Sequence, residues 1–314
     1  MGKIEPIITI DHHYSKSDLL FLLNIGITKF RINPARIGIE RGFYLYQQLL
    51  SMNPKSDIFI DTVGNKARIG LNQKAITVKE KVIAISYKES EQAELTVPFF
   101  FFSLVQVGDS IKIKGINDFE LRVLSIESNK FIAECSRVNI LIKHRAHIYI
   151  SNRYEKNYAL NSVDLCIIKR FDDNCIFALS FVDGDKIVRD YKNISKNIVY
   201  AKIESKEGIK NIKEIALEAN GIIVGRDDLS IFYSKDEIQN MTIECIRKCK
   251  KINKECIPAS NLFLSLIDSN EISKKEIEFL RLLVDEGVEK IYCNETVIGN
   301  KNIAKKILNI CRRM

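Results

Sequence analysis

Along this chain, short unbroken apolar runs alternate with longer stretches in which apolar residues recur every three or four positions. The runs at residues 4–10, 29–32, 57–61, 176–181, 198–203, 221–224, 256–259 and 290–293 are rich in isoleucine and valine and lack the in-and-out alternation of a half-solvated strand. They read as strands covered on both faces, as in a parallel sheet. The stretches that follow read as amphipathic helices. Residues 17–23 are an example, with Ser17 the expected N-cap and Asp18 in the first turn, and residues 302–312 are the last. Strand and helix in turn make βα units, and eight such strands close a (β/α)8 barrel. The expected fold class is α/β, a TIM barrel formed by residues 1–63 and 155–314.

One interval, residues 64–154, breaks the pattern. Its apolar positions alternate with polar ones, as in Ala75-Ile76-Thr77-Val78-Lys79 and Ser110-Ile111-Lys112-Ile113-Lys114, with turns at Val107-Gly108-Asp109 and Glu127-Ser128-Asn129. This predicts a small antiparallel β-domain inserted after the third barrel strand. The four phenylalanines at 99–102 are expected in its core. Barrel active sites lie at the C-terminal face, so a domain inserted there is placed to act as a lid that excludes water.

Composition narrows the function. A hydrophobic content of 46% over 314 residues supports a large core. The excess of 48 Lys and Arg over 40 Asp and Glu suits an anionic partner, but it is spread without a block of like charge, so no nucleic-acid surface is expected. Eight cysteines form no Cys-x-x-Cys pair, which argues against zinc and disulfides and for reduced thiols in a cytoplasmic protein. Cys245 and Cys249 share a helix face and read as packing. No apolar run approaches the length of a membrane span, and no export signal is expected.

The chemistry gathers at strand ends. In Ile198-Val199-Tyr200-Ala201-Lys202-Ile203-Glu204-Ser205-Lys206-Glu207-Gly208, Lys202 and Glu204 point the same way because strand side chains repeat with period two. Two charges on one side of a buried strand either pair with each other or hold a ligand, and residue types alone leave both open.

Several segments in chain order resemble the signatures of the pyruvate kinase family. Lys202 to Gly208 is similar to that family's Lys-Ile-Glu-Asn-x-Glu-Gly. Arg31-Ile32-Asn33 is similar to Ala-Arg-x-Asn-Phe-Ser-His, and Asp61-Thr62-Val63-Gly64-Asn65-Lys66-Ala67-Arg68 to Asp-Thr-Lys-Gly-Pro-Glu-Ile-Arg. Phe177-Ala178-Leu179-Ser180-Phe181-Val182, Val224-Gly225-Arg226-Asp227-Asp228-Leu229-Ser230, Ala259-Ser260-Asn261 and Asn294-Glu295-Thr296 match further family segments.

The resemblance implies a transfer of the phosphoryl group of phosphoenolpyruvate to ADP. By it, Lys202, Arg31 and Arg68 steady the phosphoryl group, and Glu204 and Asp228 bind Mg2+ or Mn2+. Ser260 assists protonation of the enolate, and Gly225 and Asp227 lie at the substrate carboxylate. Asn33, Asp61 and Thr62 match the monovalent-cation site. Lys66 replaces a family glutamate and Ala35 a serine, which implies that K+ is not required, since a tethered ammonium supplies the same charge. Glu295 is read as structural.

The chain departs from the family at Asp227 and Ser230, where glycines are usual, at Val63 for lysine, and at Arg36 for histidine. Asp11-His12-His13 stands in place of Gly-Pro-Ala, and both a phosphate or metal contact and a plain polar loop fit it. Two further readings stay open: a Mg2+-dependent barrel enzyme for another phosphorylated or 2-oxo acid, and a catalytically weak sensor of a phosphometabolite. Expected partners are small molecules, the acid and a nucleotide, with a homo-oligomer compatible and neither nucleic acid nor membrane.

Overall fold

The computed structural model describes residues 4–314 apart from 65, 71–74, 89–92, 115, 117–118, 144–145, 152–159, 172–173 and 294–299. In chain order the described strands are β1 (Glu5–Ile10), β2 (Lys29–Ile32), β3 (Asp57–Asp61), β4 (Ile76–Val78), β5 (Val82–Ser86), β6 (Leu95–Thr96), β7 (Ser110–Ile113) and β8 (Glu120–Ile126). There follow β9 (Lys130–Cys135), β10 (Ile140–Ile142), β11 (Ile148–Ile150), β12 (Ile176–Leu179), β13 (Ile198–Ile203), β14 (Gly221–Gly225), β15 (Glu255–Ala259) and β16 (Lys290–Tyr292). The chain divides into two compact units, Met1–Gly64 with Asn157–Met314, and Asn65–Lys156.

In the larger unit eight strands close a barrel in the order β1-β2-β3-β12-β13-β14-β15-β16, every neighbouring pair parallel. The apolar runs are unbroken because both strand faces are covered. Phe30, Ile32, Ile58, Ile60, Phe177, Leu179, Val199 and Ile203 face outward into a core shared with the helices. The alternate positions Ile7, Phe59, Ala178, Tyr200, Ile223, Ile257, Ala259 and Tyr292 fill the barrel interior. Phe59 meets the rings of Tyr200 and Tyr292 edge-on at 5.5 and 5.4 Å. This aromatic plug makes the barrel a packed core rather than a pore.

The smaller unit holds a six-stranded sheet, ordered β11-β7-β8-β9-β5-β6, and a two-stranded sheet of β10 and β4. Its pairs are antiparallel except β5 with β6, which run parallel. The sheet is thus mixed where pure antiparallel pairing is expected from sequence. Phe99–Phe102 form one helical turn, so the four rings splay about the axis. Phe101 is buried, Phe100 and Phe102 pack partly against the core, and Phe99 is 62% exposed.

Two local expectations are corrected. The first helix runs Lys16–Asn24, and its N-cap is Ser15 rather than Ser17. Ser15 and Asp18 form a reciprocal capping box, a bond pair that Ser17 cannot make from inside the helix. Strand β12 stops at Leu179, short of Phe181, whose positive φ of 53° turns the chain. Cys245, Cys249 and Cys256 are buried in the main core. Among the described residues no helix is long and apolar enough to cross a membrane.

Gly221 shows how tightly the barrel floor is closed. A Cβ there would lie 2.3 Å from Cε1 of Tyr200. That ring cannot swing aside, because its hydroxyl donates to Glu255 and Lys290 holds Glu255 at 2.8 Å. Gly221→Ala is expected to destabilise the protein by about 1–3 kcal/mol, the usual cost of overpacking. Urea unfolding checks this, and an unchanged midpoint would show that the floor has slack.

Candidate active site

Because all eight strands are parallel, their C-terminal ends share one rim. Interior side chains recur every second residue, so Thr9, Arg31, Asp61, Lys202 and Glu204 project inward toward that rim from strands whose lower positions form the plug. Their centre is one oxygen. Oδ2 of Asp61 accepts from Nη2 of Arg31 at 2.6 Å, from Nε of Arg31 at 3.1 Å and from Nζ of Lys202 at 3.0 Å. Lys202 also lies 3.0 Å from Oε1 of Glu204 and donates to Oγ of Ser180 at 3.2 Å. The other oxygen of Glu204 accepts the amide of Phe181 at 2.9 Å.

Neutral groups fix this cluster. Nη1 of Arg31 donates to Thr9 at 3.3 Å, and Thr9 donates to the carbonyl of Cys293 at 3.0 Å. The Ser180 hydroxyl donates to the carbonyl of Thr62, while Oγ1 of Thr62 accepts the Ser180 amide. The guanidinium of Arg31 sits 5.5 Å from the ring centre of Tyr292. Of the two readings of Lys202 and Glu204, the ion pair is present, but as part of a larger buried charge network.

Burial pushes the Asp61 carboxyl up, yet Arg31 and Lys202 outweigh it and hold the group below its ordinary range. Burial likewise disfavours the Lys202 ammonium, but Asp61 and Glu204, with Asp228 beyond them, raise its pKa well above the normal lysine value. The charged form of Lys202 is therefore the favoured one. Oδ1 of Asp61 is buried with no hydrogen-bond partner.

Glu204 and Asp228 are both buried, at 3% and 7% exposure, and Asp228 comes from the short helix Arg226–Leu229 that follows β14. Gly225 makes room for Glu204, since a Cβ there would lie 2.4 Å from Cγ of Glu204. Two hard carboxylates suit Mg2+, which keeps few protein ligands and completes its shell with water and substrate oxygens. A cluster of three metal-type donors occurs, among the described residues, at Asp11, His12 and His13.

The remaining sequence candidates are spread along the rim and beyond it. Asn33 precedes the short helix Pro34–Ile37. Asp227 is half-buried, and its carbonyl accepts from the Ser230 hydroxyl at 2.5 Å. Ser260 and Asn261, past β15, have positive φ of 65° and 53°, and their carbonyls accept from Arg226 at 3.1 and 3.3 Å. Arg68 and Lys66 belong to the smaller unit, where Arg68 bridges His147. Asn294, Glu295 and Thr296 lie outside the described residues.

Sequence reasoning assigned no role to Thr9, Ser180, Arg226 or Tyr292. Arg226 is 3% exposed, stacks on Phe279 at 4.5 Å and is pushed down to about 10 by burial, with Glu276 opposing. A polar residue inside an apolar run, such as Thr9, is the signal that marks an inward position.

The Asp61 network has a pH signature. Folded Asp61 holds its proton less tightly than the unfolded residue, whose pKa is about 4. The unfolded chain therefore takes up the proton first, so this stabilisation is complete above about pH 4 and is lost as pH falls through the folded value. Asp61→Asn is expected to flatten that acid limb and to cost about 3–5 kcal/mol at neutral pH, because buried Arg31 loses its carboxylate and Lys202 keeps only Glu204. Urea unfolding at stepped pH tests both. A neutral-pH loss below about 1 kcal/mol would refute a central role for this carboxylate.

A family model described as "Pyruvate kinase, barrel domain" matches residues 47–300. "Plastidial pyruvate kinase 3, chloroplastic" of Arabidopsis thaliana is 27% identical over 291 residues, covering 85% of this chain and 50% of that protein. "Pyruvate kinase" of Methanocaldococcus jannaschii is 28% identical over 282 residues, covering 84% of this chain and 60% of that protein. The chain thus spans about half to three-fifths of the length of these curated relatives. Among solved structures, Cryptosporidium parvum pyruvate kinase superposes with a TM-score of 0.85 at 22% identity, covering 99% of this chain and 70% of that one. Pyruvate kinase from Pyrobaculum aerophilum gives 0.78 at 19% identity, covering 99% and 73%. These two carry the fold, and the family model carries the membership: the chain belongs to the pyruvate kinase family.

Proposed function

We propose that this protein transfers the phosphoryl group of phosphoenolpyruvate to ADP with Mg2+ and without a need for K+. The observation that carries the reading is the buried network of Arg31, Asp61, Lys202 and Glu204, drawn from three strands to one rim. Phosphoryl transfer asks the protein for position and for fixed positive charge rather than for covalent chemistry. Lys202 meets that need, its ammonium favoured by Asp61 and Glu204 and locked by its neighbours. Arg31 offers a planar guanidinium whose orientation Asp61 and Thr9 set, the geometry suited to phosphate oxygens. By family resemblance Arg68 is the second phosphate-binding arginine, and its unit the lid.

Glu204 and Asp228 would hold Mg2+, which when bound neutralises charge on phosphoryl and enolate oxygens. After transfer, the enolate carbon takes a proton, which Ser260 is assigned to relay from its hydroxyl. Potassium independence gains support from the barrel itself. The carboxylate matched to the monovalent-cation site, Asp61, already answers two protein cations, and by family resemblance Lys66 stands in place of a glutamate.

Asp227 favours a second reading. It sets a carboxylate where the family has glycine beside the substrate's own carboxylate, so an acid of different shape or charge is the competing substrate.

The test is Mg2+-dependent pyruvate formation from phosphoenolpyruvate and ADP, in K+ and in a bulky organic cation. Turnover equal in the two salts is expected, falling by about two to three orders of magnitude in Glu204→Gln and Lys202→Met, the usual cost of losing one charge-stabilising group. Lys66→Glu should make the activity depend on K+. No turnover above the Glu204→Gln blank would defeat the kinase reading and leave the altered-acid one.

A further inference from the structure

We propose that Asp11, His12 and His13 form a second metal site, for a late first-row divalent cation of the zinc and cobalt class. The three residues are the first beyond β1, at the catalytic rim. One donor atom from each lies within 4.8 Å of the other two. Adjacent side chains on a surface loop normally diverge, but these imidazoles converge, with ring centres 4.0 Å apart and planes tilted 38°. The backbone enforces this. The amide of Tyr14 donates to the carbonyl of Asp11 at 3.2 Å, and the amide of His13 donates to Oδ1 of Asp11 at 3.0 Å, closing a turn with both histidines at its centre.

Both ends of the turn are anchored. Ile10 before it is buried in the barrel wall, Tyr14 after it is 7% exposed, and Ser15 caps the next helix. The turn's backbone is thus already ordered, and binding costs mainly the freedom of the exposed side chains.

The donor types select the ion. Two imidazole nitrogens and one carboxylate oxygen suit Zn2+, Co2+ or Ni2+, whereas Mg2+ avoids nitrogen ligands. Three protein donors leave at least one position for water or an anionic oxygen, the arrangement of metals that meet a substrate rather than only brace a fold. This site is separate from Glu204 and Asp228. In the closed order of eight strands, β1 and β13 stand four places apart in either direction, across the mouth of the barrel. It is independent of the kinase reading and survives its failure.

Two measurements on the full chain, stripped of metal by a chelator, test it. Titration with Co2+ is expected to give one equivalent of binding with the weak visible absorption of nitrogen and oxygen ligands. Zn2+ titration followed by histidine ring NMR should shift two of the four histidines in the chain. The His12→Ala/His13→Ala variant, altered only on an exposed turn, is expected to bind Co2+ at least about 100-fold more weakly, beyond the loss caused by removing a mere outer partner. Three results would overturn the proposal: no stoichiometric binding, equal affinity in the variant, or the intense near-ultraviolet band of thiolate ligation, which would place the ion on cysteines.

Discussion

One carboxylate oxygen, Oδ2 of Asp61, is shared by a guanidinium and an ammonium inside the barrel. Removing these charges from water costs several kcal/mol per ion, and the cost is met only where each is answered at contact distance. Arg31 from β2, Asp61 from β3 and Lys202 from β13 answer one another, with Glu204 supplying the second negative charge. Strand register is thereby tied to charge balance. A one-residue slip of β3 would turn Asp61 into the helix-facing core and leave the buried Arg31 without its carboxylate.

The rest of the barrel keeps that cluster dry and fixed. Below it, Phe59, Tyr200 and Tyr292 close the floor, and Gly221 lets the Tyr200 ring lie flat against the neighbouring strand. Beside it, Gly225 gives Glu204 its space. Gly64, at φ 60°, lets the end of the third strand's loop approach within 2.5 Å of the Ser180 carbonyl at the point where a Cβ would sit. At each of these glycines a side chain would displace a neighbour of the cluster, the Tyr200 ring, Glu204 or the Ser180 backbone, so backbone choice and site electrostatics are one constraint.

The barrel was legible because buried parallel strands have a strong local signature. The runs at 29–32, 57–61 and 198–203 are strands with those same ends. Errors fell where the decisive bond is not local or competes with a near neighbour: Ser15 outbid Ser17 through its reciprocal bond with Asp18, and β5 joined β6 in parallel through a register no local pattern encodes. In the site, period two on β13 showed that Lys202 and Glu204 face the same way. It did not show that Lys202 meets Asp61, which lies 141 positions away and is found only through the closure of the barrel. The polarity of Thr9 marks an inward position, but its partners Arg31 and Cys293 lie on or just past other strands and are found only through barrel closure, and the ring of Tyr292 reads as ordinary core.

The same network sets a condition on ligand binding. The Lys202 ammonium has three protons, and three oxygens surround it, from Asp61, Glu204 and Ser180 at 3.0 to 3.2 Å. A phosphoryl oxygen can approach Nζ only by displacing one of them. Asp61 is held on its other side by Arg31, and Ser180 is tied to the backbone of Thr62, so neither yields cheaply. Glu204 is held too, by the Phe181 amide on its other oxygen, but it is the partner whose charge a divalent cation bound with Asp228 would take up. Metal and phosphoryl binding are therefore expected to be coupled through Lys202, each making the other more favourable by releasing the ammonium from the glutamate two residues along its own strand.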